Sequence, residues 1–169
     1  TEITWSESMS GASRPSAQII DSLPMLKVPE AELRAMHEHA LAGYPYEACG
    51  LIVGHPDVDG LGEVVRFVPC TNVAESARVY TIDPKEHLRA ELAAEADGLE
   101  VIGVMHSHTH SEAYPSPTDV AQAPDPSWHY LIVTLAREVP ESRSFRIDQM
   151  ADGPGQIAEE EISTSYWLA

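Results

Sequence analysis

The segment from Val104 to Asp119 restricts the folds and functions open to this chain more than any other. It reads VMHSHTHSEAYPSPTD, so that His106-x-His108 is followed, after seven residues, by Ser116-x-x-Asp119. Two histidines and a carboxylate at this spacing can supply three ligands to one Zn²⁺ and leave the fourth position for water. We therefore predict a metal site in this segment.

The residues around the two histidines predict how both reach one ion. An apolar run at 101–105 predicts a buried strand that leads into the motif. Residues two apart in a strand point to the same side, so His106 and His108 share one side and Ser107 faces the other. Prolines on both sides of Ser116 predict a turn. The short helix expected after this turn would carry the aspartate back to the metal.

The same pattern resembles the JAMM (MPN+) family of zinc isopeptidases, whose signature places a glutamate upstream of H-x-H-x(7)-S-x(2)-D. Glu47 stands at the upstream position, within YEACGLIVG at 46–54. The resemblance runs from about Met25 to about Ile162. It implies an α/β fold with a curved, partly barrelled mixed β-sheet flanked by helices, and a core like that of cytidine deaminases. It also implies one Zn²⁺ per chain, a base that activates water and a donor to the oxyanion, with these roles falling on His106, His108 and Asp119 as ligands, Glu47 as base and Ser116 as donor.

Within this family the chain is most similar to small actinobacterial members of the CysO-cysteine peptidase type. The similarity rests on EACG around Glu47, HSHT at 106–109, EAYPSPTDV at 112–120 and the Thr71-Asn72 pair. It implies a zinc metallopeptidase that hydrolyses the bond after the C-terminal Gly-Gly of a ubiquitin-like sulfur-carrier protein and releases cysteine. We expect the tail of that carrier to dock along an exposed strand edge by main-chain hydrogen bonds.

Other functions remain open at this stage. One is the trimming of a C-terminal extension from such a carrier before its activation. Another is a non-catalytic MPN scaffold, which would need a broken motif, and none of the five motif positions is broken. A metal phosphoesterase would need ligands for a second ion, for which His110 and Glu112 are the nearby candidates.

Further histidines and cysteines compete with the motif for functional roles. His110 would share a strand face with the two motif histidines, but the strand should be ending there, so we expect His110 at the rim of the site. Cys49 raises the alternative of a cysteine hydrolase. A cysteine at the start of an apolar strand is generally a small buried hydrophobe, and we favour this interpretation for Cys49 and Cys70. His129 is a candidate for supporting a ligand from a neighbouring strand.

Composition argues against several classes of protein. A chain of 169 residues fits a single domain, which we place at residues 25–169 after a flexible tail at 1–24. A net charge of −17 makes nucleic acid a poor partner. The absence of a long apolar stretch and of a signal-peptide pattern predicts a cytoplasmic protein with no membrane partner. Two cysteines do not make a disulfide framework.

Local patterns predict alternating strands and helices. Helices are expected at 29–42 and at 83–96, where Asp83 and Pro84 form a start signal. The region 54–62 is predicted to be a turn-rich loop. Apart from the strand that leads into the motif, strands are expected at 51–53, 63–68, 128–135, 144–150 and 156–162.

Overall fold

Strands and helices alternate along the chain in the computed structural model, which describes residues 24–149 and 155–164. The predicted flexible tail at 1–24 lies, up to residue 23, outside the described residues. The elements in chain order are β1 (Met25–Lys27), α1 (Glu30–Gly43), β2 (Cys49–Val58), β3 (Leu61–Cys70), α2 (Pro84–Ala96), β4 (Glu100–His108), α3 (Pro117–Gln122), β5 (His129–Thr134), β6 (Glu141–Asp148) and β7 (Gln156–Ser163).

The described strands close into a barrel in the order β1-β3-β2-β4-β5-β6-β7. The short strand β1 completes the circle, because it pairs in parallel with β3 at 61–63 and with β7 at 161–163. The predicted curved, mixed sheet flanked by helices is confirmed, and the sheet closes fully. Docking of a substrate tail along a strand edge stays a prediction.

Strand β4 lies between β2 and β5, antiparallel to β2 and parallel to β5. All six residues of β5 and nearly all of β4 are buried, as expected for strands covered on both faces. Because β4 and β5 run in parallel, the chain must cross over between them, and α3 lies in this crossover. The crossover therefore begins where β4 delivers the two motif histidines.

The region 54–62 is where the prediction of a loop was wrong. Strand β2 continues to Val58 and pairs with β3 in a hairpin whose turn lies at Asp59 and Gly60, both at positive φ. Bulges interrupt the pairing between Val53 and Gly54 and again between His55 and Val58. This outer part of the hairpin is mostly exposed, so no alternation of apolar and polar residues marks it in the sequence.

The helices begin and end close to their predicted positions. Helix α2 starts as expected, with the Asp83 side chain accepting a hydrogen bond from the backbone N–H of Lys85. Helix α1 packs against β3, and the Glu32 carboxylate accepts a 2.7 Å hydrogen bond from the backbone N–H of Phe67. Among the described residues, no helix combines the length and the apolar character needed to cross a membrane.

Candidate active site

The end of β4 brings the two motif histidines together. His106 pairs in register with Cys49 of β2, and His106 and His108 both pair with β5. Their side chains lie on the same side of the strand, with the two Nε2 atoms 3.1 Å apart, and both residues are almost fully buried. Ser107 between them points the other way, where its Oγ accepts a 2.8 Å hydrogen bond from the backbone N–H of Ala48. The predicted alternation is confirmed.

Helix α3 holds the aspartate through a reciprocal cap. Ser116 is the N-cap residue: its Oγ accepts a hydrogen bond from the backbone N–H of Asp119, and its own N–H donates to Asp119 Oδ2 at 2.8 Å. The same Oδ2 lies 3.2 Å from His106 Nε2 and 3.1 Å from His108 Nε2. The S-x-x-D spacing thus fixes a carboxylate opposite both histidines.

Among the described residues, the ligand atoms of His106, His108 and Asp119 lie close enough together to hold one metal ion. Burial acts against ionisation of Asp119, but the adjacent imidazoles of His106 and His108 hold the pKa of its carboxyl far below the usual range. Burial lowers the pKa of His106, which favours the neutral imidazole that binds metals. Two imidazole nitrogens and one carboxylate oxygen form the type of three-ligand set found in catalytic zinc sites, so the residues fit a zinc ion.

Two contacts orient the imidazole rings. His108 Nδ1 lies 2.7 Å from the backbone carbonyl oxygen of Glu112, and a carbonyl can only accept, so Nδ1 carries a proton and the neutral ring has its lone pair on Nε2. The Tyr80 ring stacks on the His106 ring, with centroids 4.5 Å apart and planes at 21°. Tyr80 was not predicted from the sequence, because it lies in an irregular segment far from the motif along the chain.

Glu47 lies at the start of β2, beside this group. It is 4% exposed, and its Oε2 has no hydrogen-bond partner among the described residues. Burial raises the pKa of its carboxyl to about 7, close to the value at which a group can take up and give back a proton near neutral pH. The backbone is held on both sides, because its N–H donates to Ser76 O and its carbonyl accepts from Asn72 Nδ2.

An open cleft of about 460 Å³ gives access to these side chains. It brings together residues from four parts of the chain, namely the start of β2, the irregular segment at 71–83, the end of β4 and the start of α3. Its lining residues are Glu47, Ala77, Arg78, His108, Thr109, His110, Ser111, Ser116 and Thr118.

None of the remaining candidates belongs to the group of His106, His108 and Asp119. His110 follows the end of β4 at the cleft and contacts the Tyr44 ring edge-on. Support of a ligand by His129 was the wrong prediction, since His129 Nδ1 lies 2.5 Å from Glu160 Oε1 in a separate buried cluster. Cys49 and Cys70 are free and buried, and burial raises the pKa of the Cys49 thiol to about 12. A thiol with this pKa is not a nucleophile at neutral pH, which argues against a cysteine hydrolase.

Comparison with known families identifies the family to which a chain with this arrangement of residues belongs. A family model described as prokaryotic homologs of the JAB domain matches residues 29–148, which include Glu47 and every residue of the H-x-H-x(7)-S-x(2)-D motif. The chain belongs to this family. The resemblance inferred from the motif is therefore confirmed at the level of the family.

Individual relatives agree with this assignment. The chain is 38% identical over 133 residues to a CysO-cysteine peptidase of Mycobacterium tuberculosis, covering 78% of this chain and 85% of the relative. It is 35% identical over 100 residues to a probable TtuB-protein conjugate cleaving protease of Thermus thermophilus, covering 59% and 64%. A solution structure of a Desulfitobacterium hafniense protein matches with a TM-score of 0.72 and 36% identity, covering 82% of this chain and 92% of that one.

Proposed function

We propose that this protein is a zinc-dependent peptidase that hydrolyses the bond after the C-terminal Gly-Gly of a small ubiquitin-like sulfur-carrier protein and releases cysteine. The observation that carries the proposal is the convergence of a buried His-His-Asp group, an unpartnered buried glutamate and a serine hydroxyl at one cleft. The CysO-cysteine peptidase relative, which the chain matches over most of its length, supports the substrate class.

We assign the metal to His106 Nε2, His108 Nε2 and Asp119 Oδ2, whose mutual distances are 3.1–3.2 Å. A zinc ion supplies Lewis acidity to such a site and lowers the pKa of water to about 7. The chain's own residues suit a cation, since His106 Nε2, His108 Nε2 and the ionised Asp119 carboxylate all face one place. Glu112 contributes its backbone carbonyl, which keeps the His108 lone pair on Nε2.

Glu47 is assigned as the group that moves the proton. Its carboxylate takes a proton from the attacking water as the oxygen adds to the carbonyl carbon, and then gives it to the amine nitrogen as the C–N bond breaks. A pKa of about 7 suits both steps at neutral pH. The products are the carrier with a free C-terminal carboxylate and an amino acid with a free amine.

Ser116 is assigned to the oxyanion. Its Oγ accepts a hydrogen bond from the Asp119 N–H through one lone pair. This bond does not use the hydroxyl proton, which is therefore free to donate to a substrate. Ser116 also lines the cleft, where a substrate carbonyl would lie. A preorganised donor of this kind typically contributes about 3 kcal/mol to stabilising the transition state.

The competing functions differ in the leaving group. Trimming would release a short C-terminal extension, and the relative from Thermus thermophilus, named as cleaving protein conjugates, points to a protein as leaving group.

A non-catalytic scaffold has little support, because all five motif residues are present and four of them are buried around one another.

The direct test is mass spectrometry of a carrier–Gly-Gly-Cys adduct before and after incubation with the zinc-loaded protein. We expect loss of one cysteine residue from the adduct. Glu47→Gln should keep its zinc and release cysteine at least about a hundredfold more slowly. The matched control, Glu38→Gln on the exposed face of α1, should act as the parent does. An intact adduct with fully zinc-loaded parent protein would refute the proposal.

A further inference from the structure

The cleft contains one unpaired cation. Arg78 is the only lysine or arginine among the cleft-lining residues, and it is exposed. Within residues 24–149 and 155–164, its guanidinium has no carboxylate partner. Five other arginines form ion pairs with carboxylates, namely Arg34, Arg66, Arg137, Arg143 and Arg146, and Arg89, which has no ion pair among the described residues, lies outside the cleft. In a chain with a net charge of −17, a cation left unpaired beside a reactive centre suggests an anionic ligand.

The two residues before Arg78 are hydrogen-bonded to residues at the site. Glu47 N–H donates to Ser76 O at 2.8 Å, and Thr109 Oγ1 donates to Ala77 O at 3.4 Å. The Ser76 hydroxyl accepts from the Arg78 N–H at 3.1 Å. The backbone of Arg78 is therefore positioned relative to the proposed base and to the end of β4.

Asn72 holds the rest of this segment. Its Nδ2 donates to Glu47 O and to Val79 O, and its Oδ1 accepts from the N–H groups of Ala74 and Thr81. One half-buried amide, together with backbone hydrogen bonds from Val73 to Thr81 and from Asp83 to Thr71, thus orders the 71–83 segment. Such a segment can present an arginine at low cost in conformational entropy, because its backbone is already ordered.

The proposed reaction supplies an anion at this place. When a single amino acid leaves the carrier, its α-carboxylate is separated from the scissile nitrogen by one carbon atom. With Asp119 assigned to the metal, the Glu47 carboxylate still repels a second carboxylate, and a cation on the leaving-group side would offset this repulsion. A guanidinium matches a carboxylate with two parallel N–H donors. A protein joined through a lysine side chain offers no carboxylate near the scissile bond.

Resting on the proposed function, we infer that Arg78 binds the α-carboxylate of the leaving amino acid. Arg78 is thereby a specificity-determining residue, which makes the enzyme favour release of one C-terminal residue over cleavage of protein conjugates. The interaction lies on the leaving-group side of the scissile bond and adds nothing to recognition of the Gly-Gly tail.

Two matched substrates test this inference, namely a ubiquitin-like carrier ending in Gly-Gly-Cys and the same carrier ending in Gly-Gly-cysteine amide. The parent protein should cleave the acid with the higher kcat/KM. Arg78→Ala should lower kcat/KM for the acid about ten- to a hundredfold and change that for the amide less than about threefold. Arg78→Lys should recover part of the preference, since it restores the charge without the fork of donors.

Arg89→Ala is the control, because Arg89 is an exposed arginine on α2 outside the cleft, and its loss changes the net charge equally. It should leave the acid-to-amide ratio unchanged. Equal cleavage of both substrates by the parent, or an equal loss of both in Arg78→Ala, would overturn the role of Arg78 while leaving the peptidase assignment intact. If the zinc-loaded parent cleaves neither substrate, the proposed function itself fails.

Discussion

We expect the buried carboxyl group of Glu47 to lower the free energy of unfolding at neutral and alkaline pH. Burial raises its pKa from the ordinary 4.5 to about 7, so the native state binds this proton more tightly than the unfolded chain does. A group with a raised native pKa contributes stability at low pH, and that stability is lost as the pH rises from 4.5 through 7. A rise of this size corresponds to about 3 kcal/mol above pH 7.

Glu47→Gln removes the ionisation and nearly preserves the shape. We expect the free energy of unfolding of the metal-free variant, relative to the metal-free parent, to be about 2–3 kcal/mol more favourable at pH 8 than at pH 5. The change with pH is the decisive quantity, because a buried amide adds a cost of its own that is constant across this range. The loss of peptidase activity would thus be accompanied by a gain in stability at alkaline pH.

Urea unfolding followed by circular dichroism in the presence of a chelator, at several pH values from 5 to 8, measures this difference. Glu38→Gln removes an exposed carboxyl of α1 and serves as the control, whose stability should follow the parent at every pH. A difference between Glu47→Gln and the parent that stays constant over this pH range would refute the reasoning, because it would mean that the Glu47 carboxylate is well solvated in the native state.

Three further perturbations test other parts of the site. Ser107→Ala should lower the free energy of unfolding by about 1–3 kcal/mol, because the Ala48 N–H loses its buried acceptor. The control Ser127→Ala, at an exposed position, should change it by less than about 0.5 kcal/mol. Similar effects of the two substitutions would contradict this prediction. Cys49→Ala should keep most of the activity, since a thiol with a pKa of about 12 is not ionised, and a folded but inactive variant would revive the cysteine hydrolase. Elemental analysis should find about one zinc per chain in the parent and none in Asp119→Ala. The zinc should be released below about pH 6, because protons compete with it for the histidines. Two metals per chain would contradict a single site.

The convergence of His106, His108 and Asp119 could be predicted from the sequence because the geometry that brings them together is local. His106 and His108 share a strand face by simple alternation, and Ser116 and Asp119 form a helix cap whose spacing is legible in the sequence. Glu47 is different, since its place beside the group depends on the pairing of β2 with β4. Only the family resemblance identified it before the fold was described.

The parts that were missed are those held by distant backbone contacts. Strand β1 has three residues and exists only because β3 and β7 pair with it on both sides. The 71–83 segment has no periodicity, and it is held by the Asn72 side chain and by backbone hydrogen bonds between its two halves. No local pattern of apolar residues could show that this segment brings Tyr80 onto His106 or Arg78 into the cleft.

The pairing of β2 with β4 also sets the order in which this site can be assembled. The proposed ligands all come from residues 106–119, whereas Glu47 reaches them through contacts such as that between Ala48 and Ser107, 59 positions apart in the chain. Bringing such distant segments together requires loop closure, which a local segment avoids. The proposed ligands can therefore approach one another locally, whereas the proposed base joins them only when β2 pairs with β4.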